Sequence, residues 1–495
     1  MPNRWRRFGI SLSTIRHIVD SDSLHLSHVP LLVPSVCLVA GILVGNCWHL
    51  PLVVTFAAFV AAIGAGWLLA GRGIVQQYAV FACMFLLGML VSPGERAPLP
   101  EGVWMEAVVV GPPSEKPQTM AVDVTLPAYG ETRRCYLLKS ARSRQLQIGD
   151  GIVVRLTEKP FLRDIDWEKG GEAFRQLTTL QRARLRCVIW RERLLSRYRS
   201  LQIDDDGDDY AVLAAMTLGS KTALTADLRD TYSVTGASHV LALSGLHLGI
   251  IYLLLTRLLF IRRRWLEPLI VVPALWAFAF LTGLSPSVVR AATMISIYAV
   301  FACRGKRRPS LNVLCFTAIV MLTVDPRSLF DVGFQLSFAA VFSIALFMPL
   351  LDRLPIAYRL QGSCIGRWLW SLVAVSLTAQ VGVAPLIAYY FGRLPTYFML
   401  TNIIVLPAAT LILYGGLLTL LIPWPPIGQA TLWIVGVMND ALTFLSHLPM
   451  ASIDGLHPSV VQTILLYLLL GVLYLIMVRC LPRDMILPYQ RRRRT

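Results

Sequence analysis

The chain has 495 residues, 55% of them hydrophobic and only 15% charged, with a mean hydropathy of +0.60 and a net charge of +17. An average soluble chain carries about 25% charged residues, so a string of soluble domains is excluded, and so is disorder, which needs low hydrophobicity. The positive charge leaves three readings: nucleic acid, anionic lipid, or the basic inner loops of a membrane protein.

Residues 1–29, with Arg4, Arg6, Arg7 and Arg16, read as a cytoplasmic tail rather than a cleaved signal, because no small-residue cleavage site follows the first apolar run. Uncharged runs long enough to cross about 30 Å of hydrocarbon lie near 30–48, 50–70 and 73–92. After a polar interruption, nine more follow near 237–261, 265–283, 286–303, 309–325, 329–350, 367–391, 397–422, 428–446 and 459–481. The predicted fold class is a polytopic α-helical membrane protein of about 12 transmembrane helices. With the N-terminus inside and the sides alternating, the inner segments hold 21 Lys and Arg, and the short outer loops hold only Arg327 and Arg393. This bias predicts a multi-pass protein of the bacterial cytoplasmic membrane with both termini cytoplasmic, 482–495 as a basic inner tail and 93–236 outside.

Within 93–160 the apolar period becomes two: Val103, Met105, Ala107 and Val109; Val122, Val124 and Leu126; Tyr136 and Leu138; Ile152, Val154 and Leu156. Gly and Pro turns separate these runs, which predicts four short strands of a small external β-domain; an OB-like barrel inserted after the third helix has the right size. Residues 161–236 follow as a basic amphipathic helix, roughly 171–200, and a linker. Arg175, Arg182, Arg186, Arg193 and Arg197 share one face of that helix. Together with Arg133, Arg134, Lys139, Arg142 and Arg144 they are candidates to follow a phosphate backbone. An amphipathic helix lying on anionic membrane lipid explains the helical arginines as well.

The acidic run at 204–209 resembles a calcium loop only superficially, since its Gly is misplaced and no Glu closes it. Its carboxylates suit the start of a helix near Tyr210 instead. Of nine cysteines, only Cys135 and Cys187 fall in the external segment, and they would pair if that compartment is oxidising. The sequence has no zinc or nucleotide-phosphate motif, so no metal or cofactor is expected.

Polar side chains inside spans are costly and usually face a partner helix or a pathway. Here they are His239, Ser244, His247, Arg290, Asp331, Gln335, Gln380, Asn402 and the pair Asn439 and Asp440. As a set they read as lining or shaping a polar internal path. Ser244 and His247, three residues apart, also have the spacing of a nucleophile and base, although the surroundings are not a Gly-x-Ser-x-Gly elbow.

The string His239-Val-Leu-Ala-Leu-Ser-Gly-Leu-His247-Leu-Gly249 closely resembles the signature of the ComEC competence family. Gly283, Ser287, Arg290 and Ala291 resemble its Gly…Ser-x-x-Arg-Ala element, and Asp325-Pro326 with Asp331-Val-Gly-Phe-Gln-Leu-Ser-Phe338 resemble its next two. Ser376, Gln380, Pro385, Phe391, Asn402 and Pro407 fit the block after that, so the likeness is strong over about 210–410. The resemblance implies a channel domain over 237–481 that carries single-stranded DNA into the cytoplasm during natural transformation. It also implies an external domain that engages the strand, a periplasmic DNA-binding competence protein, and cytoplasmic DNA-processing or motor proteins as partners. A nuclease activity is not expected to carry over, because only about 15 residues follow Leu481 and no His-x-His-x-Asp-His motif is present. Other readings are a secondary transporter with an external receptor domain and an intramembrane serine hydrolase.

Divided by compartment, the charge mostly reports topology: 93–236 holds 21 basic and 20 acidic residues. The local exception is 133–199, with 17 basic against 7 acidic residues.

Overall fold

The computed structural model describes residues 29–48, 51–68, 74–93, 103–116, 118–129, 131–155, 161–162, 165–166, 177–200, 207–259, 265–303, 310–422 and 424–481. The tails, the basic loops 262–264 and 304–308, Leu156, Arg175 and the acidic residues 204–206 lie outside these residues.

Three apolar helices come first: α1 (Leu32–Cys47), α2 (Leu52–Leu68) and α3 (Ile74–Val91). α1 and α3 meet through glycines, for a Cβ on Gly41 would run into the Phe85 carbonyl and one on Gly88 into that of Leu38. Small residues that let backbones approach are how helices associate where lipid is as apolar as the side chains.

The strands that follow are β1 (Trp104–Val109), β2 (Ser114–Glu115), β3 (Thr119–Leu126), β4 (Glu131–Leu138), β5 (Gly151–Arg155), β6 (Phe161–Leu162) and β7 (Ile165–Asp166), with a one-turn helix α4 (Ala141–Arg144) after β4. Their order in the sheet is β6-β4-β3-β1-β5-β7, with β2 on β3. The pairs are antiparallel except β4 with β6. Since β6 and β7 belong to one short stretch, the same piece of chain holds both edges of the sheet.

Inward residues include Ala107, Val109, Val122, Val124, Leu126, Ile152 and Val154, as their alternation predicts. β4 departs from expectation: Cys135 and Leu137 are buried while Leu138 is 71% exposed. The register explains it, because Val122 lies opposite Cys135 and paired residues share a face. Val103 is likewise exposed, just before β1.

The basic helix is α5 (Thr179–Arg199), opened by a capping box between Thr178 and Gln181. α6 (Asp208–Leu218) carries Asp208 and Asp209 in its first turn, where carboxylates favour a helix N-terminus. α7 (Ala226–Val234) follows. α6 is buried from Tyr210 to Leu218 and belongs to the main helical core, not to the β-domain.

The run 237–261 is not one span. It divides into α8 (Ser238–Leu241) and α9 (Gly245–Leu258), with extended backbone at Ala242 and Ser244. Hydropathy cannot register this break, since its residues are as apolar as a helix; the serine that caps α9 makes it.

The remaining helices are α10 (Leu266–Leu281), α11 (Pro286–Cys303), α12 (Ser310–Val324), α13 (Val332–Leu351), α14 (Pro355–Leu360), α15 (Cys364–Phe391), α16 (Phe398–Leu421), α17 (Pro425–Ser446) and α18 (Val460–Cys480). A short 3-10 turn, Pro326–Phe330, enters α13. A two-stranded ribbon, β8 (Arg393–Pro395) with β9 (Ser452–Asp454), joins the ends of α15 and α17.

Every expected apolar run contains a helix. Among the described residues, five helices (α3, α13, α15, α16 and α18) are long and apolar enough to cross a membrane, and α1, α2, α9, α10, α11 and α12 are shorter apolar ones. The architecture is that of a polytopic helical membrane protein.

Candidate functional site

α11 and α13 bring two sequence elements, 41 residues apart, onto one buried guanidinium. Arg290 is 4% exposed, and taking such a group out of water costs several kcal/mol unless it is paired. Its Nη1 donates to Asp331 Oδ1 at 3.3 Å, and its Nη2 donates to Ser287 Oγ at 3.0 Å and to Ser337 Oγ at 3.1 Å. Asp331 is also the N-cap of α13, accepting from the Phe334 amide at 2.7 Å. One carboxylate thus caps a helix and anchors the arginine. A Cβ at Gly333 would lie 3.0 Å from Arg290 Nη2 and 3.1 Å from Asp331 Oδ1, so glycine is what admits the contact. One turn on, Gln335 donates to the Leu329 carbonyl at 3.0 Å and accepts from the Tyr390 hydroxyl at 2.7 Å, tying α13 to α15.

The start of α9 stands beside this cluster, since a Cβ on Gly245 would rest 3.5 Å from that of Ala291. His247 Nδ1 accepts from the Ser244 amide at 3.3 Å and lies 3.1 Å from Ser244 Oγ. Ser244 and His247 are therefore close, and their contact closes the first turn of α9. His239 Nδ1 donates to the Gly236 carbonyl at 3.0 Å.

Gln380 and Asn402 join neither group through a hydrogen bond. Gln380 Nε2, Asn402 Oδ1, His247 Nε2 and Arg290 Nε are buried polar atoms with no partner in the protein. Such atoms are uncommon in native interiors, and each costs about 1–3 kcal/mol.

The expected basic surface divides in two. On the β-domain, Arg134 makes a two-pronged contact with Asp123 at 2.8 and 3.0 Å. Lys139 and Arg144 meet Glu115 at 2.9 and 3.6 Å, and the Lys139 hydrogen bond holds the Glu115 carboxyl below the usual carboxylate range. Arg133 and Arg142 are exposed. On α5, Arg186 and Arg193 are exposed, Arg182 Nε donates to the Leu177 carbonyl at 2.9 Å, and Arg197 Nη1 donates to the Leu420 carbonyl at 2.9 Å.

Cys135 and Cys187 are both free, which corrects the expected disulfide. Cys135 points into the sheet core, where burial pushes its thiol up to about 11, while Cys187 sits on α5.

The sequence did not single out several polar contacts. Tyr232 donates to Asn439 Oδ1 at 2.6 Å, and Asn439 Nδ2 donates to Asp209 Oδ1 at 2.7 Å. Arg191 is largely, not fully, buried, with its Nη1 3.2 Å from where a Gly283 Cβ would sit; burial pulls its pKa down against the neighbouring Glu192. Its side chain is 13% exposed, and its Nε has no partner. Asn439 stood out as a polar residue in an apolar run; Arg191 had no signal beyond its charge. Among the described residues, no group of His, Cys, Asp and Glu could hold a metal ion.

The motif residues gathered here fall within 216–479, the stretch matched by the family model described as Competence protein. The chain is 25% identical to ComE operon protein 3 of Bacillus subtilis over 368 residues, which is 69% of this chain and 45% of the relative. It is 27% identical to competence protein ComA of Neisseria gonorrhoeae over 258 residues, 49% of this chain and 35% of that one. An uncharacterized protein of Aquifex aeolicus is 35% identical over 208 residues, 42% of this chain and 47% of the relative. The chain thus spans about half or less of the length of these relatives. No solved structure matches it. With more than half of its residues under that family model, the chain belongs to the ComEC-type competence protein family.

Proposed function

We propose that the protein conducts single-stranded DNA through the cytoplasmic membrane in natural transformation, acting as a channel and not as an enzyme. The observation that carries this reading is the buried Arg290 held by Asp331, Ser287 and Ser337, a cluster built from two family elements. The unsatisfied atoms of His247, Gln380 and Asn402 support it, because polar groups that the protein leaves unpaired suit a hydrated path. In this reading both termini are cytoplasmic, 93–236 is external, and 237–481 forms the channel domain.

The β-domain would be OB-like. Its meander β1-β3-β4, with β5 on β1 and one last stretch between β4 and β5, supports that assignment. DNA would meet it and the arginines of α5, with a periplasmic DNA-binding protein delivering the strand and cytoplasmic proteins receiving it. The test is deletion of the gene, followed by labelled donor DNA. DNA should still reach the periplasm, while protection in the cytoplasm and chromosomal integration should vanish. Integration at the parental frequency would sink the reading.

A further inference from the structure

On α5, the residues 182, 186, 190, 193 and 197 recur at intervals of four, four, three and four, which is one face of a helix. Four are arginines. The fifth, at the centre, is Trp190, which is 62% exposed. The opposite face is fully used. Leu185 packs with Val108 against the sheet, and Leu195 and Tyr198 join the main helical core. The rotation of α5 is fixed on that side by Tyr198, which donates to the Gly416 carbonyl at 2.9 Å, and by Arg191 against Gly283, while Arg197 at the end of the stripe reaches the Leu420 carbonyl. Trp190 is therefore held outward between Arg186 and Arg193, which are about 10 Å apart along the axis.

A helix that lies on lipid turns a broad apolar face to the acyl chains. α5 has spent its apolar face inside the protein, leaving mainly Leu180 and Trp190 in contact with solvent. A ring between two cations fits a different ligand, one with negative charges along a backbone and flat apolar faces between them. In a duplex those faces are hidden by stacking, whereas in a single strand they are open.

We propose that Arg186, Trp190 and Arg193 form a binding site for single-stranded nucleic acid, with phosphates on the two arginines and one base stacked on the indole. The site deepens the DNA-conducting reading and rests on it. Arg186 and Arg193 supply affinity that weakens with salt, and Trp190 supplies the preference for unpaired bases.

The test uses the full-length protein in nanodiscs of neutral phosphatidylcholine and a labelled oligothymidylate, with binding read by anisotropy across a salt series. Trp190→Ala should weaken single-strand binding about five-fold or more and leave the salt slope and duplex binding unchanged. Trp190→Phe should restore most of the loss. Arg186→Ala and Arg193→Ala should each lower the salt slope by about 0.7. Because Trp190 is exposed, unchanged thermal unfolding should accompany its replacement.

Wild-type affinity in Trp190→Ala overturns the proposal. So does a Trp190→Ala protein that binds the oligonucleotide normally but loses attachment to phosphatidylglycerol vesicles, which would make the stripe a lipid face. Either result, with transformation still lost on gene deletion, removes the site and leaves the channel reading standing. Transformation that survives deletion removes the channel reading itself.

Discussion

Arg290 shows how much one side chain can organise. It satisfies one carboxylate and two hydroxyls with a planar fork, and each partner comes from a different turn of helix. A lysine keeps the charge but is a single point donor on a flexible stem, so it cannot hold Asp331, Ser287 and Ser337 in that arrangement. Arg290→Lys is therefore expected to lower transformation frequency about ten-fold or more, roughly the effect of 1.4 kcal/mol, at unchanged protein abundance on a membrane blot. Wild-type frequency in that variant would show that charge alone suffices. The members of this cluster could be read in the sequence, because a charge and an acid in apolar runs stand out. Their meeting could not, since it depends on how α11 and α13 cross, and Gly333 gains its meaning only from that crossing. Trp190 was hidden for another reason: a tryptophan on an amphipathic helix reads as core until the other face is seen to be full.

At the scale of elements, every apolar run located a helix, but apolarity showed neither where one breaks, nor the short helices α7 and α14 between the runs, nor which way a strand faces. Ser244 and His247 turn an apolar stretch into a helix start, and hydropathy has no term for capping. In β4 the facing is inherited from β3 through register, so Tyr136 and Leu138 fall on the outer side despite their chemistry. The crossing of α1 with α3 gives a direct check on packing. Any side chain at Gly41 or Gly88 meets backbone, which cannot yield as a flexible side chain does. Gly41→Ala and Gly88→Ala should each destabilise the protein by about 1–3 kcal/mol, the usual penalty of overpacking, seen as a lower heat-aggregation midpoint in detergent. Gly64→Ala is the control, for nothing lies within 4 Å of the added methyl, and its midpoint should stay at the parental value.

Across the whole molecule, strict alternation of spans places 422–428 on the inner side, yet that segment has no Lys or Arg. The contacts explain why. Arg197 and Tyr198 of α5 bind the carbonyls of Leu420 and Gly416, and Arg191 of the same helix rests on Gly283 just past the C-terminal end of α10. A helix with that many arginines does not lie across hydrocarbon, so the tip between α16 and α17 is expected on the external side. Neither helix of that hairpin would then cross, and the alternation of the other spans is left as the charge bias has it. In a protein whose nine native cysteines are replaced by serine, Gln429→Cys should react with a membrane-impermeant maleimide added to intact spheroplasts. Labelling only after lysis would restore a full crossing.

The burial of α6 has a practical consequence for dividing the chain. Nine consecutive residues, Tyr210 to Leu218, have no solvent face and are packed by α16 and α17, far along the sequence. A fragment cut at 236 would carry this helix away from everything that covers it, and would present a sticky apolar rod in place of a soluble receptor. Leu195 and Tyr198 of α5 join the same core, so a cut before Asp208 is expected to remove the buried helix but leave those two side chains uncovered. What looks in the sequence like the tail of the polar segment is structurally a buried keystone of the main helical core.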